Sequence, residues 1–188
     1  MKAVRTIESS GNRLLNVIND VLDYTQLQSG MLKVDFQQCA LVDLCSAVVR
    51  EVIPLAEKKG QRVRFPVNLE PVMLQSNQRY LHKLLRHLLE NAIKFTPENG
   101  EIGLQIRAER QAGQVYVTIW DTGIGIKEED FPRLFKPFVQ LDARLSRQYE
   151  GTGLGLALVK EIAGLLGGTV SLVSVFGQGS RFTICLPW

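Results

Sequence analysis

The sequence predicts an α/β sandwich, an α+β arrangement in which a mixed sheet of about five strands carries three helices on one face, with one further helix ahead of it. Three observations lead there. Glu101 to Ala108 with Val115 to Trp120, and Thr169 to Val175 with Ser180 to Leu186, alternate with period two around central turns, as β-hairpins do. Other segments space their apolar residues three and four apart, as amphipathic helices require. Strands and helices are interspersed along the chain, which selects a sheet with helices packed on it.

A chain of 188 residues that is 45% hydrophobic can bury one substantial core and carry an appendage. The formal charge of +3, from 22 basic and 19 acidic residues with no long basic block, argues against nucleic acid as a partner. Cys39, Cys45 and Cys185 are odd in number, lack metal-ligand spacing and sit in apolar runs, so they read as small buried hydrophobes in a reducing compartment. The start, MKAVRTIESSGNRLL, has no apolar signal core, and no apolar run reaches the length of a membrane span. A soluble, cytoplasmic chain without membrane contact is expected.

From Val4, the residues Ile7, Leu14, Ile18 and Val21 mark an amphipathic helix ending near Gly30. The repeat at seven, through Ile7, Leu14 and Val21, suits a seam against another helix or a second chain, although a helix folded back on the downstream domain satisfies the same stripe. A short strand is expected near Lys33 to Phe36, then a helix from Leu41 to Lys58 stopped at Gly60, and strands at Arg62 to Leu69 and Pro71 to Gln75. Asn77 is suited to cap the next helix, which runs to about Lys94 and ends at Thr96-Pro97. After the first hairpin come a glycine-rich loop, a short helix near Glu128 to Leu134, and a long irregular stretch from Lys136 to Gly151 of the functional or mobile kind. A helix from Gly153 to Leu166 precedes the closing hairpin.

Three polar clusters sit where apolar elements stop. His87, Asn91 and Lys94 share one helical stripe; an amide oxygen can ligate magnesium and a lysine can hold a phosphate, although a solvated helix face looks the same. Asp121-Thr122-Gly123-Ile124-Gly125 follows a strand directly, where a carboxylate can accept from an exocyclic amine and two glycines let the backbone approach a flat ring; a plain tight turn is the other reading. Gly151-Thr152-Gly153-Leu154-Gly155 opens a helix, so its amides and the helix dipole form an anion site. It fits the dinucleotide GxGxxG pattern only superficially, and the Rossmann reading is set aside because the preceding Leu141 to Glu150 is polar and aperiodic instead of a strand.

NAIKFTP, DTGIGI, FPRLFKPF and GTGLGLALVK, in that order, resemble the four nucleotide-binding boxes of the sensor histidine kinase catalytic domain, a member of the GHKL superfamily. GQGSRFTICLP resembles that family's closing strand, and IESSGNRLLNVINDVLDYTQLQSG resembles the second helix of its dimerisation and phosphotransfer hairpin. The resemblance implies a hairpin helix over residues 1–30 and an ATP-binding catalytic domain over 31–188. By the same resemblance Asn91 would ligate magnesium, Lys94 would contact a phosphate, Phe95 would lie beside the nucleotide, and Asp121 would accept the adenine amine. Gly123 and Gly125 would let the loop pass the base. Gly151, Thr152, Gly153, Leu154 and Gly155 would present the phosphate site, and Thr183 would make a water-mediated adenine contact. Lys136 to Glu150 would be an ATP lid, with Arg144 or Arg147 meeting the γ-phosphate and Phe131, Phe135 and Phe138 anchoring it.

His87 departs from the family, which often has asparagine there; an imidazole could still ligate the metal or bond a phosphate. Asn77 stands where aspartate is common, a change that bears on capping. Neither His82 nor His87 has the context of the family's phosphoacceptor, so the acceptor is expected upstream in a longer kinase. The implied reaction transfers the ATP γ-phosphoryl group to that histidine and on to the receiver domain of a response regulator, with self-association through the N-terminal helix; this chain alone would bind ATP and Mg2+ without phosphorylating itself. Two alternatives remain: a GHKL ATP hydrolase, which would need a glutamate one turn before Asn91 where His87 stands, and a docking module that has lost nucleotide binding.

Overall fold

The computed structural model describes residues 2–29, 34–66, 70–140 and 152–188. Its elements are α1 (Lys2–Gln28), β1 (Gln37–Ala40), α2 (Leu41–Glu57), β2 (Arg62–Arg64), β3 (Met73–Ser76), α3 (Gln78–Phe95), β4 (Glu101–Glu109), β5 (Gln114–Asp121), α4 (Gly155–Leu165), β6 (Thr169–Val175) and β7 (Gly179–Pro187). Short 3-10 turns occupy Arg110–Ala112 and Glu128–Arg133, the latter where a short helix is expected. Five strands form one sheet in the order β2-β4-β5-β7-β6, parallel only between β2 and β4.

Strand alternation sets which face of the sheet is covered. Val115, Val117 and Ile119 of β5 stand beside Leu186, Ile184 and Phe182 of β7, and all six are buried on the helix side. α3 is the middle helix, flanked by α2 and α4 and seated on β5. Its Leu81, Leu84, Leu85, Leu88 and Leu89 are buried along one stripe. Each such leucine contributes roughly 1.5–3 kcal/mol on burial, so packing rather than helix propensity holds α3 in place. As the sequence predicts, Asn77 caps α3: its Oδ1 accepts from the Tyr80 amide at 3.1 Å, while its Nδ2 donates to the Asp35 carbonyl at 3.0 Å.

The early strands differ from expectation. The first is Gln37–Ala40 rather than Lys33 to Phe36, and it pairs with β3 in a separate antiparallel ribbon. Burial decides this: Cys39 and its partner Leu74 are buried, whereas Phe36 is exposed and Lys33 lies outside the described residues. β2 is only Arg62–Arg64, and β3 begins after Pro71, which has no amide for a ladder. All three cysteines are free thiols.

α1 packs against α4, with Tyr24 and Leu27 resting on the core. Lys83 of α3 bonds Asp20 at 2.9 Å and also pairs with Asp23, tying the two helices together. Along the expected apolar stripe Leu14 and Ile18 are exposed, together with Leu15 and Leu22, whereas Val21 is half-buried. The side chain of Ile7 lies outside the described residues. Among the described residues no helix is long and apolar enough to cross a membrane.

A candidate nucleotide site

A cavity of about 880 Å³ opens between α3, the loop after β5 and the start of α4, with α1 along one side. The same alternation that buries Val115, Val117 and Ile119 turns Asp121 inward at the end of β5, where the wall opens into the cavity. Asp121 Oδ1 accepts from the Gly123 amide at 2.8 Å, and the Ser180 amide also bonds the carboxylate. Burial pushes its pKa above the ordinary aspartate value, and the two amides pull it partly back. The result is a carboxylate acceptor set in a wall of low polarity, suited to an amine edge.

The glycines of the loop are close-approach positions. A Cβ on Gly123 would stand 2.5 Å from the Phe95 carbonyl oxygen, and one on Gly125, whose φ is +65°, would stand 2.1 Å from that of Val175. The loop is bonded on both sides, from the Ile124 amide to the Phe95 carbonyl at 3.2 Å and from the Gly177 amide to the Ile124 carbonyl at 2.7 Å.

His87, Asn91 and Lys94 line the α3 wall together, as their spacing predicts, with Phe95 beside them. Lys94 Nζ lies 4.7 Å from the centroid of the Phe95 ring, a cation–π contact that holds both side chains at the cavity edge. Among the described residues the buried His87 Nε2 has no hydrogen-bond partner, and at 3.6 Å the nearby Asp20 Oδ1 is too far for a bond. Burial lowers the His87 pKa, against the pull of Asp20, so the imidazole is held neutral.

At the other end, Thr152, Gly153 and Gly155 line the cavity where α4 begins. Thr152 Oγ1 accepts from the Leu154 amide at 3.2 Å, and the Gly153 carbonyl accepts from the Phe138 amide at 3.1 Å. Leu154 departs from its expected role: its side chain is fully buried and its amide is already engaged by Thr152, so it anchors the helix start rather than facing a ligand. Arg144, Arg147 and Gly151 lie outside the described residues. Of the aromatic residues expected to anchor a lid, Phe135 packs on the core whereas Phe138 is exposed.

Thr183 is not brought to the site. It pairs with Thr118, hydroxyl to hydroxyl at 2.9 Å, on the sheet face opposite the helices. Ser180, three residues earlier and opposite Asp121 in the register, lines the cavity instead. The strand's own pattern carries this signal: apolar Phe182, Ile184 and Leu186 mark the inward face, which Ser180 shares and Thr183 does not. Sequence reasoning also missed Asn16 and Asp20 of α1, which no local pattern could reveal, and Phe176 with Lys127 at the rim. Glu90 also lines the cavity, but its carboxylate is held by Arg86 Nε at 2.8 Å.

Among the described residues no group of three or more histidine, cysteine or acidic side chains could hold a metal. A single amide oxygen from Asn91 fits an ion such as magnesium, which takes few protein ligands and completes its shell with phosphate and water.

A mixed five-stranded sheet under three helices, with a carboxylate at one end of the cavity and a glycine-rich helix start at the other, defines a nucleotide-binding catalytic domain. Residues 76–188 match the family described as Histidine kinase-, DNA gyrase B-, and HSP90-like ATPase, and the chain belongs to that family. It is 36% identical over 186 residues to the Autoinducer 2 sensor kinase/phosphatase LuxQ of Vibrio cholerae serotype O1, which covers 98% of this chain and 22% of the relative. It is also 36% identical over 184 residues to the Alginate biosynthesis sensor protein KinB of Pseudomonas aeruginosa, covering 98% of this chain and 30% of that one. The crystal structure of full-length ShkA in complex with AMPPNP resembles it with a TM-score of 0.82 at 29% identity, over 95% of this chain and 36% of that chain. The chain therefore spans less than a third of the length of these two curated relatives, and its residues 76–188 form a domain of the histidine kinase-, DNA gyrase B-, and HSP90-like ATPase family.

Proposed function

We propose that this chain binds ATP with Mg2+ and, within its whole protein, transfers the γ-phosphoryl group to a histidine outside it and thence to the receiver domain of a response regulator. The observation that carries the reading is the pairing, across one cavity, of the Asp121 carboxylate with the Thr152 to Gly155 helix start, with Asn91 and Lys94 along the wall between. Asp121 would accept from the adenine amine while Gly123 and Gly125 leave room for the ring. Amides at the start of α4 and the Lys94 ammonium would hold the phosphates. Ser180, bonded to Asp121 through its amide, fills the part first expected of Thr183. Magnesium, held by Asn91 and phosphate oxygens, would neutralise phosphate charge.

Residues 1–30 would form the second helix of a dimerisation hairpin, and 31–188 the catalytic domain. The exposed Leu14, Leu15, Ile18 and Leu22 suit self-association through α1. The chain would act in the cytoplasm, without nucleic acid as a partner. An ATP hydrolase is disfavoured, because Arg86 occupies the carboxylate of Glu90 and His87 stands one turn before Asn91. Calorimetric titration with an unhydrolysable ATP analogue, with and without magnesium, tests the site. Saturable binding that Asp121→Ala weakens at least tenfold is expected; no binding by the folded, unmodified chain would sink the assignment and favour a docking module.

A further inference from the structure

The last four carbonyls of a helix have no partner within it, and each must find one elsewhere. In α3 every one is accounted for. The Ala92 carbonyl accepts from the Thr96 amide at 3.1 Å and the Thr96 hydroxyl at 2.6 Å. That of Phe95 accepts from Ile124 in the loop after β5. The carbonyls between them, of Ile93 and Lys94, are taken by one side chain from a different part of the chain: Lys59 Nζ donates to Ile93 at 2.7 Å, to Lys94 at 3.2 Å, and to the Thr96 carbonyl just beyond at 2.7 Å. Three ammonium protons thus meet three carbonyl oxygens, and the positive charge sits at the negative end of the helix dipole.

Gln61 doubles the clamp. Its Nε2, with two protons, lies 2.7 Å from the Thr96 carbonyl and 3.0 Å from that of Ile93, with the Pro97 carbonyl within reach at 3.3 Å to share one of them. Every group that Nε2 meets there is an acceptor, so only the nitrogen of the amide can face the helix end. The segment bearing these side chains is itself fixed: Lys59 and Gln61 donate their amides to the Ala56 carbonyl at the end of α2, and the Asn99 amide donates to Lys59 at 3.1 Å.

The turn that Lys59 closes carries the nucleotide wall. Lys94 and Phe95 lie in it, Asn91 lies just before it, and the Phe95 carbonyl is the point on which the loop of Asp121 and Gly123 is hung. We infer that Lys59, seconded by Gln61, is a positioning residue for the nucleotide: it is not itself among the residues that line the cavity, yet through the carbonyls it holds it sets the place of Asn91, Lys94 and Phe95 and, through Phe95, of the adenine loop. The inference rests on the nucleotide reading above.

Affinity and stability must be separated, and Asn77→Ala supplies the control, because it weakens the same helix at its far end. Lys59→Met is expected to weaken binding of an unhydrolysable ATP analogue at least tenfold, with the milder Lys59→Gln between it and the unmodified chain. Asn77→Ala, still folded, should bind within twofold of the unmodified chain. Without nucleotide, amide exchange at Lys94 to Thr96 should quicken at least tenfold in Lys59→Met, or to a lesser degree in Lys59→Gln should the first variant not fold. Equal affinity in the Lys59 variants, or unchanged exchange in that turn, would overturn the inference. Absence of binding by the unmodified chain would overturn the nucleotide reading and this role together, and is told apart from the first outcome by the parent titration.

Discussion

Asp121 is pulled two ways by pH. Its folded pKa lies above the ordinary 3.8, because burial penalises the charge. Folding therefore favours the protonated acid: that contribution is fully present below the unfolded value and is lost as pH rises through the raised folded value. Binding of an amine edge has the opposite slope, because the carboxylate is the stronger acceptor. Affinity for an ATP analogue should thus fall as pH drops, beginning above the range of an exposed aspartate; titrations between neutral and mildly acid pH would read it, and a flat profile would contradict it. His87 behaves in the contrary sense. Its folded pKa lies below 6.5, so its neutral form contributes stability above that value which is lost as pH falls through the folded pKa. A His87→Asn variant should gain in thermal midpoint relative to the parent as pH is lowered, a difference measurable by paired melts.

At the scale of elements, a cation ties α1 to α3. Lys83 stands between Asp20 and Asp23, and all three side chains are less than a quarter exposed. Lys83→Met would leave two like charges facing each other beside an apolar replacement, a loss of roughly 1–3 kcal/mol in the docking of α1. Hydrogen exchange should report it as faster exchange in the second half of α1 with α2 and β5 unchanged. Because Asn16 and Asp20 line the cavity, loosening α1 also opens one side of the nucleotide site.

The whole molecule links binding to folding, because a ligand held only by the folded state stabilises it. At a hundred times its Kd, an ATP analogue adds about 2.7 kcal/mol. For a chain of this size that raises the melting midpoint by about 5–10 °C. A melt with and without analogue and magnesium checks this at once, and a midpoint that does not move would contradict binding. The site's parts come from α1, α3, the loop after β5 and the start of α4, so only a folded chain presents them together.

Much of this was legible because it depends on neighbours along the chain. The periods of two and of 3.6 residues mark the β4–β5 and β6–β7 hairpins and the apolar stripe of α3, and Asn77 announces the cap it makes. The inward face of β7 was readable too, since Phe182, Ile184 and Leu186 share it with Ser180 and not with Thr183. By itself, then, the sequence determined the class of fold, the approximate helix ends, and the shared stripe of His87, Asn91 and Lys94. What only the tertiary structure decided were contacts between distant segments: β1 paired with β3, Asp20 brought beside His87, and Lys59 set on the end of α3. The reason is physical. Local periodicity reports which face of an element is buried, but which partner buries it depends on how the faces pack, and that is a property of the whole chain.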